Sequence, residues 1–290
     1  DLAPAHARRV YVGKRAGCHF MPQEEINELL YREAKDGRFV VRLKGGDPFL
    51  FGRGGEEALY LSDRGIPFEI VPGVSAVTAV PAAAGIPVTE RELSSCLMAV
   101  TGHEDPNKKG TRVDWDKIAN ISGTLVLFMG MHKLPQIVEN LLNAGRSPET
   151  PVAVIRYGTL PRQQTVTGTL SDISKRVEEA GLHSPALVVV GDVVTLRDRL
   201  NWFETRPLFG KRVVITRPRE QSEAMRSALM EQGACVLMLP MIRVEPPADS
   251  APLREAISKL DSFDWVVFSS TNSVDGFFNA LTEEIGRAHV

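Results

Sequence analysis

Short apolar runs alternate with helix-patterned stretches along nearly the whole chain, and few architectures accept that alternation. Strand-like runs fall at 9–12, 39–43, 68–71, 97–101, 125–129, 152–156, 165–169 and 187–190. Helical patterns lie between them at 22–35, 56–63, 76–84, 115–121, 134–144 and 171–180. Strands interleaved with helices predict an α/β fold with a largely parallel sheet. The segment Thr165-Val-Thr-Gly-Thr169 reads instead as an antiparallel hairpin member, which predicts a mixed sheet. Local chemistry supports these assignments. The first helix opens on Pro22, carries Glu24 and Glu25 in its first turn, and is followed by Gly37. Proline and acids suit a helix start, where the dipole favours negative charge, and glycine suits its stop.

The pattern restarts after Thr205-Arg-Pro-Leu-Phe-Gly210. A strand at 211–216, a helix at 220–232 closed by Gly233, and a strand at 235–239 begin a second α/β unit. A proline-rich loop at 246–252 leads to a helix ending near Leu260, then a strand at 265–268 and a helix at 273–281. The boundary is placed near residue 206, giving domains 1–205 and 206–290. The second is short against the roughly 100–200 residues of an ordinary domain. The first residue is Asp1 and the last segment, Arg287-Ala288-His289-Val290, follows directly on a helix pattern. Both domains are therefore expected to be incomplete at their outer ends.

Several function classes are excluded early. Thirty-four Lys and Arg against 36 Asp and Glu give a formal charge of −2, so no global electrostatic case for nucleic acid exists. No apolar run approaches the ~20 residues of a membrane span. Cys18, Cys96 and Cys235 are isolated, which argues against a disulfide scaffold or structural zinc site and predicts small buried hydrophobes in a reducing cytoplasm. His19, His103 and His132 lack metal-ligand spacing, and no metal is assigned.

The stretch most suggestive of chemistry is Val40-Val-Arg-Leu-Lys-Gly-Gly-Asp-Pro-Phe-Leu-Phe-Gly-Arg-Gly-Gly-Glu-Glu57. A strand-like run enters a loop holding Gly45, Gly46, Gly52, Gly54 and Gly55, more glycines than a simple turn needs. Ligands of open α/β sheets bind beyond the carboxyl ends of strands, and glycines there let backbone approach a ligand closely. Asp47 offers a carboxylate to a hydroxyl or ammonium group. The loop is not a dinucleotide fingerprint, because the third glycine is missing at the usual spacing, and no phosphate-binding GxxxxGK[ST] loop occurs.

These and further blocks resemble the tetrapyrrole methylase family, in its uroporphyrinogen-III C-methyltransferase branch. The blocks are Val12-Gly-Lys-Arg-Ala-Gly17, Gln23-Glu-Glu-Ile-Asn27, the 42–57 stretch, Val71-Pro-Gly-Val-Ser-Ala76 and Gly85-Ile-Pro-Val-Thr89. Thr101-Gly-His103, Phe128-Met-Gly130, Gly158-Thr159 and Leu196-Arg-Asp-Arg-Leu-Asn-Trp202 follow in family order. The resemblance implies a two-lobed α/β subunit, a homodimer, S-adenosyl-L-methionine as cofactor, and methylation of two pyrrole carbons of uroporphyrinogen III to give precorrin-2. It implies cofactor contacts at Gly45, Gly46, Asp47, Leu50, Ser75, Ala76, Met129 and Gly158. Lys14 matches the position assigned as proton donor. Arg53, Glu56 and Arg91 match substrate-handling positions, and arginine's forked donors suit a carboxylate-rich substrate. The family's base is an aspartate about twenty residues before the lysine, so it is expected upstream of Asp1, together with the first strand and its cofactor loop.

The second unit resembles the start of uroporphyrinogen-III synthase, through Lys211-Arg-Val-Val-Ile-Thr-Arg-Pro218, Leu239-Pro-Met-Ile242 and Asp264-Trp-Val-Val-Phe-Ser-Ser-Thr-Asn-Ser-Val274. Thr216, Arg217 and 269–272 sit at strand ends as candidate carboxylate binders. With one lobe present, no synthase activity is expected of this chain. The alternatives are another methyltransferase of the same superfamily, a nucleotide-dependent oxidoreductase disfavoured by the missing GxGxxG, and a non-catalytic binding module.

Overall fold

The computed structural model describes residues 3–4, 6–13, 21–102, 113–245 and 247–288. The chain divides into two compact units, Asp1–Gly210 and Lys211–Val290.

In the first unit three helices come first: α1 (Gln23–Lys35), α2 (Gly54–Ser62) and α3 (Ala76–Ala83). A sheet region follows, with β1 (Leu97–Thr101), α4 (Trp115–Ala119), β2 (Thr124–Phe128), α5 (Leu134–Asn143) and β3 (Pro151–Arg156). It continues through β4 (Gln164–Thr169), α6 (Ile173–Glu179), β5 (Ala186–Val190) and α7 (Arg197–Leu200). The sheet order is β1-β2-β5-β3-β4. β1 and β2 are parallel, whereas β5 runs antiparallel between β2 and β3, and β4 pairs antiparallel with β3. The sheet is thus mixed and mainly antiparallel by pairing, not largely parallel. β4 keeps the antiparallel place its sequence suggested. Apolar runs report burial rather than strand direction, so the reversal at β5 left no trace in the sequence.

Side chains alternate across this sheet as the pleat requires. Val152 and Val154 join one buried cluster with Leu125, Leu127, Val188 and Val190, packed on α5 and α6 residues Leu141 and Ile173. Ala153 and Ile155 join the other, with Val126, Val189 and the α3 residues Val77 and Val80. A sheet covered on both faces needs continuous apolar strands, as seen here. Each fully buried Val or Ile contributes about 1.5–3 kcal/mol through area removed from water.

The segments 9–12, 39–43 and 68–71 differ from expectation. They form no ladder among the described residues, and Phe39 and Leu43 are 96% and 84% exposed. Strand-forming composition is present there, but no neighbouring strand pairs with it.

The second unit holds β6 (Arg212–Ile215), α8 (Glu223–Glu231), β7 (Cys235–Met238), α9 (Ala251–Ser258) and α10 (Thr271–Ala288). β6 and β7 are parallel, as the α/β pattern predicts. Among the described residues the run 265–268 pairs with no strand, and Trp265 and Val267 face solvent. Cys96 is half-buried and Cys235 exposed, so the expectation of buried thiols fails at Cys235. Cys18 lies outside the described residues.

Candidate functional site

Because β5 is antiparallel to both β2 and β3, the carboxyl ends of β1, β2 and β3 meet at one edge of the sheet. Gly102, Met129 and Gly158 follow these three ends. Gly102 packs directly on Gly130, where a Cβ would lie 2.5 Å from the Gly130 Cα, and its amide donates to the Phe128 carbonyl at 2.6 Å. Met129 has φ of 54° and is 52% exposed. Its left-handed backbone ends β2 one residue earlier than the apolar run suggests. Gly158 rests on α3, with a Cβ position 2.4 Å from Val80 Cγ1.

The glycine loop is brought to this edge by its own residues. Leu50 packs on the α3-side core cluster, and the Phe51 and Phe128 ring centroids are 4.9 Å apart. Asp47 Oδ1 accepts from the Phe49 amide at 2.8 Å, and Oδ2 accepts from the Gly73 amide at 3.2 Å. The carboxylate thus ties the 45–52 loop to the 71–75 loop. The loops touch backbone to backbone: a Cβ on Gly73 would sit 2.3 Å from the Gly46 carbonyl oxygen. Gly46 has φ of 73°, a conformation natural to glycine. A Cβ on Gly45 would meet nothing within 4 Å, so that face of the loop is open. Ser75 caps α3, its Oγ accepting from the Val77 amide at 3.2 Å, and Ala76 is the first helical residue.

Behind the loop lies a buried carboxylate. Glu57 on α2 is 4% exposed. It accepts from Lys44 Nζ at 2.7 Å, Arg42 Nε at 3.1 Å and Gln23 Nε2 at 3.1 Å. Burial pushes its carboxyl upward, but hydrogen bonds from Lys44 and Gln23 and the charges of Arg42 and Lys44 prevail, holding it below the usual range. This node joins α1, the segment entering the glycine loop, and α2. Its partners lie 13, 15 and 34 residues away, too distant in sequence for a local pattern to reveal the cluster.

Arg53 and Glu56 form an exposed pair at 2.6 Å, and Arg53 enters α2 with φ of 58°. Donating hydrogen bonds to the Glu56 carboxylate raises the Arg53 pKa further. Arg91 is exposed, in the turn closed by the Glu90–Ser94 bridge. Lys14 and His103 lie outside the described residues. The structure therefore gathers Gly45, Gly46, Asp47, Leu50, Ser75, Ala76, Met129 and Gly158 around α3 and the sheet edge. It places Arg53 and Glu56 at the start of α2, beyond the loop.

Left-handed backbone concentrates here too. Phe51, Arg53, Met129, Tyr157 and Thr159 are the described non-glycine residues with positive φ. All five lie in the glycine loop or just past β2 and β3. Such strain costs about 1–3 kcal/mol per residue and clusters where function requires it. Among the described residues, no group of three or more His, Cys, Asp or Glu is placed to hold a metal. In the second unit, Ser270 caps α10, its Oγ accepting from the Ser273 amide at 3.2 Å, and Asn272 accepts from Gln221 Nε2 at 2.7 Å.

A glycine cradle at one sheet edge, crossed by a second glycine turn at a helix start, defines an α/β protein built to receive a small ligand against its backbone. Residues 1–174 match the family described as Tetrapyrrole (Corrin/Porphyrin) Methylases, and the chain belongs to that family. Residues 223–289 match Uroporphyrinogen-III synthase HemD. A uroporphyrinogen-III C-methyltransferase of Bacillus subtilis (strain 168) is 39% identical over 285 residues, which are 98% of this chain and 58% of that protein. An S-adenosyl-L-methionine-dependent uroporphyrinogen III methyltransferase of Methanosarcina barkeri is 52% identical over 200 residues, covering 69% of this chain and 78% of that one. Among solved structures, Thermus thermophilus uroporphyrin-III C-methyl transferase complexed with S-adenyl homocysteine superposes with a TM-score of 0.54 at 38% identity. That match covers 64% of this chain and 78% of that one. The chain spans 58% of the length of the Bacillus relative that it matches almost end to end.

Proposed function

We propose that the chain carries the cofactor-binding and much of the substrate-binding part of an S-adenosyl-L-methionine-dependent uroporphyrinogen-III C-methyltransferase, followed by the first part of a uroporphyrinogen-III synthase. The reading assigns 1–205 to the methyltransferase and 206–290 to the synthase. It is supported by the division of the chain after Gly210 and by the two family matches on either side. The single observation that carries the cofactor assignment is the crossing of Gly46 and Gly73, clamped by Asp47. It leaves the Gly45 face open where a side chain would otherwise intrude.

When bound, S-adenosyl-L-methionine supplies an electrophilic sulfonium methyl group. The chain's residues do the rest by placement. Gly45, Gly46 and Asp47 form one wall, Ser75 and Ala76 the floor at the α3 start, and Leu50, Met129 and Gly158 the apolar and backbone surfaces at the sheet edge. Met129 offers a soft, polarizable side chain suited to a flat purine. Holding a pyrrole carbon of uroporphyrinogen III close to that methyl replaces a bimolecular encounter with a pre-oriented one. Arg53 and Arg91 supply fork-shaped donors for substrate carboxylates, Glu56 orients Arg53, and Lys14 moves a proton. The product is precorrin-2, made by a homodimer in the cytoplasm; no helix among the described residues is long and apolar enough to cross a membrane.

Calorimetric titration with S-adenosylhomocysteine, alongside incubation with methyl-labelled S-adenosylmethionine and uroporphyrinogen III, tests this. Saturable binding, with no binding of NADPH, supports the cofactor assignment, and its absence overturns it. Labelled precorrin-2 supports the substrate assignment. A chain that binds S-adenosylhomocysteine while transferring methyl groups to a different tetrapyrrole overturns it.

A further inference from the structure

A polar cluster on the far side of α3 is used by none of the roles above. Gln163 is 4% exposed, and its side chain makes three hydrogen bonds, two of them to the turn and the helix that border the cofactor cradle. Its Oε1 accepts from the Thr159 amide at 2.8 Å. Its Nε2 donates to the Ala83 carbonyl at 3.3 Å and to Glu204 Oε1 at 2.8 Å. The reverse orientation of the amide would set NH2 against an N–H donor and a carbonyl against two acceptors, so the network permits one orientation only. Glu204 also accepts from Thr165 Oγ1 at 2.6 Å and Arg197 Nη2 at 2.5 Å.

The cluster finishes the end of α3. The last carbonyls of a helix lack partners within it. Here Trp202 Nε1 reaches Ala82, Gln163 reaches Ala83, and Arg197 Nη1 reaches Ala84. Gly85, with φ of 72°, turns the chain so closely past Leu200 that a Cβ would lie 2.5 Å from its carbonyl oxygen. Meanwhile Thr159, whose amide Gln163 holds, is itself left-handed at φ of 68° and adjoins Gly158, which lies on Val80 in the middle of the same helix.

We propose that Gln163, oriented by Glu204, is a positioning residue for methyl transfer, locking the 157–159 turn to α3 so that Gly158 and Ser75–Ala76 keep a fixed separation around the cofactor. The role rests on the cofactor reading given above. One amide side chain bonds simultaneously to the turn that forms one wall and to the helix whose opposite end forms the floor. No other described side chain hydrogen-bonds both. Without this set the Thr159 amide and the Ala83 carbonyl lose their side-chain partner, and the cost of unpaired buried polar groups falls on the turn and the helix end that it joins.

The test uses the 290-residue chain and three variants. Q163M keeps an unbranched side chain in the pocket but removes every hydrogen bond. Q163E sets a carboxylate against that of Glu204, and Q163E/E204Q restores one donor facing one acceptor. S-adenosylhomocysteine affinity is read by calorimetry, and backbone protection by hydrogen exchange at 157–160, with 124–128 as the check of folding. The expected result is at least a tenfold rise in Kd for Q163M and Q163E, faster exchange at 157–160, unchanged exchange at 124–128, and partial recovery of both readouts in the double variant. Q163M or Q163E binding within twofold of the unaltered chain overturns the positioning role alone. An unaltered chain that does not bind S-adenosylhomocysteine overturns the cofactor reading, and this role with it. Loss of protection at 124–128 as well as at 157–160 in all three variants identifies a general folding role and also overturns the proposal.

Discussion

The Gly73 amide donates to Asp47 Oδ2 at 3.2 Å while the same glycine lies against the Gly46 carbonyl. A residue first read as a group offering its carboxylate to a ligand is therefore also a clamp between two loops. Asp47→Ala removes both amide acceptors and is expected to weaken S-adenosylhomocysteine binding at least tenfold. Asp47→Asn, which retains one acceptor oxygen, is expected to fall between. Calorimetry across the pair checks this, and equal affinities in all three proteins refute it.

Gly73→Ala tests the crossing itself. Its methyl would need the space of the Gly46 oxygen, at 2.3 Å, so the two loops must separate. The expected outcome is loss of detectable cofactor-analogue binding, with the sheet of β1 to β5 retaining its hydrogen-exchange protection.

Glu57 links stability to pH. Its carboxyl titrates lower in the folded chain than in the unfolded one, so its contribution is present above the unfolded-state value. That contribution is lost as pH falls through the lowered folded-state value. Glu57→Ala leaves the largely covered Lys44 side chain, 10% exposed, without its partner and is expected to cost about 3 kcal/mol near neutral pH. Urea denaturation should show the difference between the two proteins shrinking in the acid range; a gap constant with pH contradicts the linkage.

Arg53 and Glu56 are paired in the open, where an ion pair is worth about 0–1 kcal/mol. Arg53→Ala should therefore leave thermal stability nearly unchanged. It should raise the KM for uroporphyrinogen III and leave S-adenosylhomocysteine affinity as it was. A fall in analogue affinity of similar size would move Arg53 out of the substrate role.

Gly158→Ala is expected to displace Val80, whose Cγ1 lies 2.4 Å from the new methyl position, and to weaken analogue binding. Val80→Ala added to it should restore part of the loss, since it removes the two obstructing methyls and leaves only the Cβ, at 2.9 Å, to shift. Non-recovery would place the fault in the backbone of the 157–159 turn instead.

Much of this was legible because it is local. The helical pattern at 76–84 announces α3, and the apolar runs at 125–129, 152–156 and 187–190 announce buried strands. The glycine stretch of 45–55 announces a loop of close backbone approach, found where Gly46 meets Gly73. What stayed hidden depends on residues far apart in sequence. Asp47 meets Gly73 across 26 positions, and Gln163 meets Ala83 across 80. Neither pair leaves a periodic signal. The strand-like runs at 39–43 and 68–71 show the converse: composition favours a strand, but a strand exists only where a partner supplies its hydrogen bonds.

The five left-handed non-glycine residues among those described carry an implication for engineering this chain. Phe51, Arg53, Met129, Tyr157 and Thr159 are the positions at which glycine would relieve the backbone of the rim around the cradle. A search for thermal robustness alone would be drawn to them, and each relaxed position would surrender a side chain or the rigidity of a wall. Robustness is better sought on the helices away from this rim, because the surrounding packing that holds these residues left-handed is also what shapes the rim.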